Sequence, residues 1–301
     1  MFSKHAVIIC STGRTGTSFF AQSLPAMIPK SFCVHEPDVW SGLSRRSFDR
    51  IRRFGVYHMV VGRLLGATGL RNLSQDFLAG KLSLEQTMEA LRRQREDYYN
   101  SIDADIIVES NGQWFGLLPL LPRVFAQYRF VGIIRDPRTW LASTMNYGRL
   151  HGPRDRVSHL GYRRLDPTMV KEVGSAKHWQ EMDRFERICW TWKAMNTVLE
   201  RDIAADENAK LYRYEDLFIG PRRLAALEDM LRFMTRFPDR DFGHKVDQEF
   251  LDRRINAVSR AAFPDWPSWS RSQAQCLQEI CGPLMLRHGY GREPEWLALV
   301  G

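Results

Sequence analysis

Hydrophobic and polar positions follow one another in blocks along this chain of 301 residues. Ala6–Cys10, Asp105–Val108 and Phe130–Ile134 are short runs rich in apolar, β-branched side chains, the composition of strands buried on both faces. Two weaker runs, Ser31–Val34 and Ala209–Tyr212, have the same form. Each run leads into loop residues and then into a helical pattern. Strands alternating with helices in this way predict an α/β fold with a central parallel sheet flanked by helices.

The helical patterns are equally specific. Phe185, Ile188, Cys189, Trp192, Met195 and Leu199 trace one amphipathic helix, and Leu224, Leu227, Met230, Leu231 and Met234 trace another. Both stripes read as core rather than as a cofactor site. Leu84, Met88 and Leu91 recur at helical spacing inside residues 41–103, an arginine-rich stretch that interrupts the strand–helix rhythm and reads as a helical insertion over a cleft. Residues 148–180 are polar and rich in Gly, Pro, His and Arg, and read as a mobile flap. The Phe263–Trp269 segment suits neither helix nor strand, and a final helix is expected over Ser272–Arg287. No internal repeat is visible, so residues 1–301 read as a single domain.

Composition narrows the functional classes. The chain is 44% hydrophobic, enough for a large core, and its 43 basic and 35 acidic residues give a net charge of +8. Such a surface favours anionic ligands. The basic pairs Arg45-Arg46, Arg52-Arg53, Arg92-Arg93 and Arg163-Arg164 are dispersed and lack aromatic interleaving, which argues against nucleic acid. The five cysteines are odd in number and have no C-x-x-C spacing, so they read as buried thiols in a reducing compartment rather than as disulfides or a zinc site. No signal-peptide pattern and no apolar run of about 20 residues occurs. A cytoplasmic protein without a membrane span is expected.

Candidate chemistry begins after the first strand. In Gly13-Arg14-Thr15-Gly16-Thr17-Ser18-Phe19, small residues separate the strand from a helix start, where backbone N–H groups and the helix dipole can cradle a phosphate. The loop is not the G-x-x-x-x-G-K-[ST] of nucleoside-triphosphate hydrolases, because Arg14 precedes Gly16 and no lysine follows it. The strand Phe130–Ile134 ends at Arg135, with Asp136 suited to cap a helix and Pro137 to its first position. Ser143 lies eight residues beyond Arg135. An arginine fork together with a serine hydroxyl suits a second phosphate.

These two motifs, in this order and with this internal spacing, resemble the sulfotransferases that use 3′-phosphoadenosine 5′-phosphosulfate (PAPS). His35-Glu36-Pro37-Asp38-Val39-Trp40 is similar to the Glu-Pro-x-Trp region of carbohydrate sulfotransferases, and Tyr214-Glu215-Asp216-Leu217 to a Tyr-Glu-Asp segment that many members carry. The resemblance implies a three-layer, P-loop-like fold and sulfuryl transfer to a hydroxyl of a carbohydrate or other small-molecule or lipid acceptor, without a metal. It implies that Gly13, Thr15, Gly16, Thr17 and Ser18 hold the 5′-phosphate and that Arg135 and Ser143 hold the 3′-phosphate. Arg14, where relatives carry lysine, is implied to stabilise charge on the leaving oxygen without relaying a proton. Phe19 and Tyr214 are candidate adenine neighbours, with a buried helix position as the alternative for Phe19.

An acceptor hydroxyl needs a general base. Glu36 is the first candidate, His35 the adjacent one and Glu109 a further one, with Asn111 as an acceptor-orienting group. The small-phenol members of the family place a histidine where this chain reads Glu109-Ser110-Asn111. No Gly-x-x-Gly-x-x-Lys segment appears near the C-terminus, and Arg271 is the substitute donor contact considered. Two rival readings are an ATP-dependent P-loop kinase, which wants a lysine after Gly16 and an acidic metal ligand such as Glu109, and a non-catalytic nucleotide-binding module.

Overall fold

In the computed structural model, the described residues are 1–39, 45–152, 155, 164–246 and 262–301. Trp40, Arg163 and part of the expected flap therefore lie outside the described residues. Five strands, β1 (Phe2–Ser11), β2 (Ser31–His35), β3 (Ile106–Ser110), β4 (Phe125–Ile134) and β5 (Ala209–Arg213), form one sheet in the order β2-β3-β1-β4-β5. Every pairing is parallel.

Helix α1 (Thr17–Met27) follows β1. Between β2 and β3 lie α2 (Arg45–Val56), a π-helical turn at Tyr57–Val61, α3 (Gly62–Leu64), α4 (Leu70–Leu78) and α5 (Leu84–Asn100). The expected insertion is thus helical where it is described. Helix α6 (Leu121–Val124) precedes β4, and α7 (Pro137–Tyr147) follows it. Then come α8 (Val173–His178), α9 (Arg184–Ala204), α10 (Tyr214–Phe218), α11 (Arg223–Thr235), α12 (Arg271–Arg287) and α13 (Pro294–Val300). The Phe263–Trp269 segment contains a single 3-10 turn, Trp266–Ser268.

The period of two along β1 divides the core. Val7 and Ile9, with Val108, Val131 and Ile133, pack beneath α1 and α11. Ala6, Ile8 and Cys10, with Ile107 and Phe130, face α5 and α9 on the opposite side. Each fully buried aliphatic or aromatic side chain here contributes about 2 kcal/mol through apolar burial. Gly132 in β4 is required by the close approach of α9, since a Cβ there would collide with Ile203 and Leu211. All five cysteines are free.

The strand order places the site. From β1 the chain turns toward the β2–β3 edge, whereas from β4 it turns toward β5. The crevice beyond the C-terminal ends of β1 and β4 is therefore a topological switch point, where open parallel sheets receive ligands.

Candidate active site

The loop between β1 and α1 bends through three left-handed residues, Gly13 (φ 78°), Arg14 (φ 54°) and Gly16 (φ 81°). Only glycine takes this conformation without cost, so Arg14 is a strained position held by its surroundings. The Ser11 hydroxyl accepts from the Gly13 amide at 3.2 Å, and the Thr15 hydroxyl donates to Ser11. The Trp140 indole of α7 donates to the Gly13 carbonyl at 2.9 Å. Helix α1 starts with no capping side chain and no acidic residue in its first turn. Its opening N–H groups and dipole are left for an anion. By contrast, α5, α9 and α12 each begin with a full capping box.

The second element is built at the end of β4. Asp136 caps α7 by accepting from the Arg138 amide at 2.9 Å, and Pro137 occupies the first helical position. Arg135 donates to the Arg14 carbonyl at 2.7 Å and to Thr139 Oγ1 at 3.0 Å, with its guanidinium 4.5 Å from the centre of the Tyr214 ring. Arg14 Nε in turn donates to Ser143 Oγ at 3.2 Å, and its guanidinium lies 4.9 Å from the Tyr147 ring centre. Burial lowers the Arg14 guanidinium pKa, Tyr147 opposes this, and the nearby Arg135 charge adds to it. Two guanidiniums beside each other, with hydroxyls and amides around them, form a donor-rich group suited to anions.

Glu215 explains why the Tyr-Glu-Asp segment matters here. Its carboxylate accepts from the Asp136 amide at 3.0 Å and from the Tyr290 hydroxyl at 2.6 Å, pinning the turn that aims Arg135.

A cleft of about 970 Å³ opens beside the loop, lined by Gly13, Arg14, Thr17, Ser18, His35 and Glu36 among others. Glu36 sits at φ 43°, a strained conformation at the end of β2, with its side chain 33% exposed and 3.8 Å from His35 Nε2. His35 Nδ1 lies 3.0 Å from the Ser110 carbonyl, which orients the ring. Arg63 and Arg71 line the wall facing Glu36, and burial pushes both guanidiniums down to about 10. Thr12 and Thr144 also line the cleft, and each has a buried hydroxyl without a partner among the described residues.

Several expected residues are placed elsewhere. Phe19 is 5% exposed and packs edge-on against Phe20 and Phe218, so its ring is core and presents no face to a base. The Thr15 side chain is fully buried on Ser11, and neither Thr15 nor Gly16 lines the cleft. Arg135, Ser143 and Tyr214 do not line the cleft and instead form the adjacent cluster reached through Arg14. Arg271 is tied to the Gly301 carbonyl and does not line the cleft.

Glu109 is fully buried and accepts from Tyr99 at 2.7 Å, Trp114 at 3.0 Å, Asn111 at 3.1 Å and Arg95 at 3.3 Å. Three of these bonds fall on Oε1 and one on Oε2, and the carboxylate is buried out of the cleft, away from any acceptor hydroxyl there. Asn111 is likewise spent, on Glu109 and on the Gln113 amide. Both are structural.

Trp140, Thr144, Arg63 and Arg71 were not anticipated from the sequence. Trp140, Ser143, Thr144 and Tyr147 follow one another at helical spacing after Arg135, and that periodicity was the available signal. Arg63 and Arg71 carried none, because their position depends on how the insertion folds.

No helix among the described residues is long and apolar enough to cross a membrane. No protein-family model and no curated protein sequence matches the chain. Among solved structures, sulfotransferase STF9 from Mycobacterium avium aligns over 96% of this chain and 78% of its own, with TM-score 0.51 and 13% identity. A sulfotransferase from Alicyclobacillus acidocaldarius covers 98% of this chain and 100% of its own, at TM-score 0.44 and 11% identity. With its parallel five-stranded sheet between helical layers, the chain has the α/β fold of the sulfotransferases.

Proposed function

We propose that the protein transfers a sulfuryl group from PAPS to a hydroxyl of a carbohydrate or other small-molecule or lipid acceptor. The observation that carries this reading is the pair of arginine-centred, donor-rich groups at the ends of β1 and β4, joined by the bonds from Arg135 to the Arg14 carbonyl and from Arg14 to Ser143. A nucleotide with a phosphate at each end fits this arrangement. Among the described residues no carboxylate is ion-paired with Arg14 or Arg135, and a bound anion relieves the mutual repulsion of the two guanidiniums.

The donor supplies an activated sulfuryl group on a phosphate leaving group. In this reading the Gly13–Ser18 backbone and the Thr17 and Ser18 hydroxyls grip the 5′-phosphate. Arg135 and Ser143 grip the 3′-phosphate. Arg14, between the two, stabilises the negative charge that develops on the leaving oxygen. Glu36 accepts the proton of the acceptor hydroxyl, with His35 as its oriented neighbour. The cleft wall over the ends of β2 and β3 receives the acceptor.

Against the kinase alternative stands the burial of Glu109, which bonds to four protein donors and does not line the cleft. Isothermal titration tests the reading. Adenosine 3′,5′-bisphosphate should bind more tightly than ATP, and Arg135→Ala should weaken the bisphosphate far more than adenosine 5′-phosphosulfate, which lacks the 3′-phosphate. Equal losses for the two ligands would remove the assignment.

A further inference from the structure

Residues 56–65 border the cleft with their two sides inverted relative to an ordinary surface helix. His58, Met59 and Gly62 turn inward and are buried, whereas Val56, Tyr57, Val61, Leu64 and Leu65 are 60, 60, 44, 56 and 73% exposed. Tyr57 and Val61 open and close the π-helical turn, and Leu64 and Leu65 lie at the end of α3, so the exposed apolar side chains fall within one short stretch. Together with Phe48, this stretch holds six of the thirteen large apolar side chains exposed among the described residues. A concentration of this kind marks an interaction surface rather than scattered exposure.

Charge selects the partner. Residues 45–65 contain six arginines and one aspartate, so five (6 − 1) of the chain's eight net positive charges fall in this one segment. Arg45, Arg52 and Arg53 are exposed. Protein–protein interfaces also use arginine, but six arginines against one aspartate beside a row of exposed apolar side chains call for a partner that is both densely anionic and apolar. An anionic lipid surface accommodates both features, taking apolar side chains at the headgroup boundary and guanidiniums on lipid phosphates.

We propose that the Arg45–Leu65 segment docks this protein on an anionic lipid bilayer. Tyr57, Val61 and Leu65 enter the headgroup boundary, and Arg45, Arg52 and Arg53 reach the lipid phosphates. Leu64 belongs both to this face and to the cleft wall, so docking sets the cleft mouth at the lipid surface. Combined with the transfer reading, on which this one clause rests, that position gives a lipid-borne acceptor access to Glu36.

Cosedimentation of the full chain with vesicles tests the surface and requires neither donor nor turnover, so its failure is separable from failure of the transfer reading. Binding is expected to vesicles of phosphatidylcholine mixed with phosphatidylglycerol, not to phosphatidylcholine alone, and to weaken as salt is raised. The double variant Val61→Ser with Leu65→Ser should lose about tenfold in vesicle affinity at unchanged melting temperature. Arg45→Glu, Arg52→Glu and Arg53→Glu together should abolish the preference for the anionic vesicles. Absence of wild-type binding, or equal binding to both vesicle types, overturns the proposal. So does a dimer in sedimentation velocity that the double serine variant disperses, which would assign the face to a second copy of the chain.

Discussion

Glu36 and Glu109 sit at the ends of neighbouring strands, yet their surroundings separate their roles. Glu36 is partly open to the cleft, with a histidine as its near neighbour, while Glu109 is enclosed by four donors. Replacing Glu36 by Gln keeps the shape and removes the base. Under the sulfuryl-transfer reading, turnover should fall by about a hundredfold while titration shows unchanged donor affinity. Glu109→Gln should act on stability instead, because the buried Arg95 then keeps only Asp38, 3.1 Å away, as a close counter-charge. A loss of about 3 kcal/mol in urea unfolding, with turnover per folded molecule preserved, is the expected outcome. Both residues read as strand-end carboxylates in the sequence. What distinguishes them comes from Arg95 and Tyr99 on α5, residues of the insertion whose placement no local pattern reveals.

At the scale of elements, the strand–loop–helix units at β1 and β4 were legible because their signals are local. Apolar runs, positive-φ glycines, the Asp136 cap and Pro137 all act within a few residues of one another. The insertion was legible only as helical. Its kink at Gly55 and its π turn at Tyr57–Val61 answer to tertiary packing, which the sequence pattern does not carry. The last long helix was legible, with α12 at Arg271–Arg287 against the expected Ser272–Arg287, but what ties the C-terminal end to the sheet was not, since nothing local singles out Arg138. It is 2% exposed, paired with Asp136 at 2.6 Å and Glu293 at 2.8 Å, and faces the rings of Trp266 and Trp296. Arg138→Ala should therefore cost about 2 kcal/mol, the partial exposure of Glu293 moderating the loss. Hydrogen exchange should show Pro294–Val300 losing protection before the sheet does.

For the molecule as a whole, acid should be destabilising, and one residue sets a measurable part of the slope. Burial pushes the His151 imidazole down to about 4 from its ordinary 6.5, with Arg164 adding repulsion and Asp155 opposing it. The unfolded chain then binds the extra proton between those two values while the folded chain does not. Stability therefore rises with pH across that window and is lost as pH falls from 6.5 toward 4, by up to about 1.4 kcal/mol per pH unit. Asp38 works in the same direction at lower pH. Burial disfavours its charge, but Arg95 and His58 outweigh this and hold its carboxyl well below the usual carboxylate range. His151→Asn, which tolerates the left-handed backbone at φ 52°, should flatten the slope between pH 4 and 6.5 in thermal melts.

The burial of Glu109 also bears on how such a protein could be redirected. Under the sulfuryl-transfer reading, the β3 end holds the molecule together and the loop after β1 grips the donor. The remaining adjustable wall is the stretch from Tyr57 to Arg71, which lies outside the sheet and lines the same cleft as Glu36. On that same reading, exchanging this stretch between related chains is the economical route to a new acceptor preference, because it leaves the proposed anion grip and the central scaffold intact.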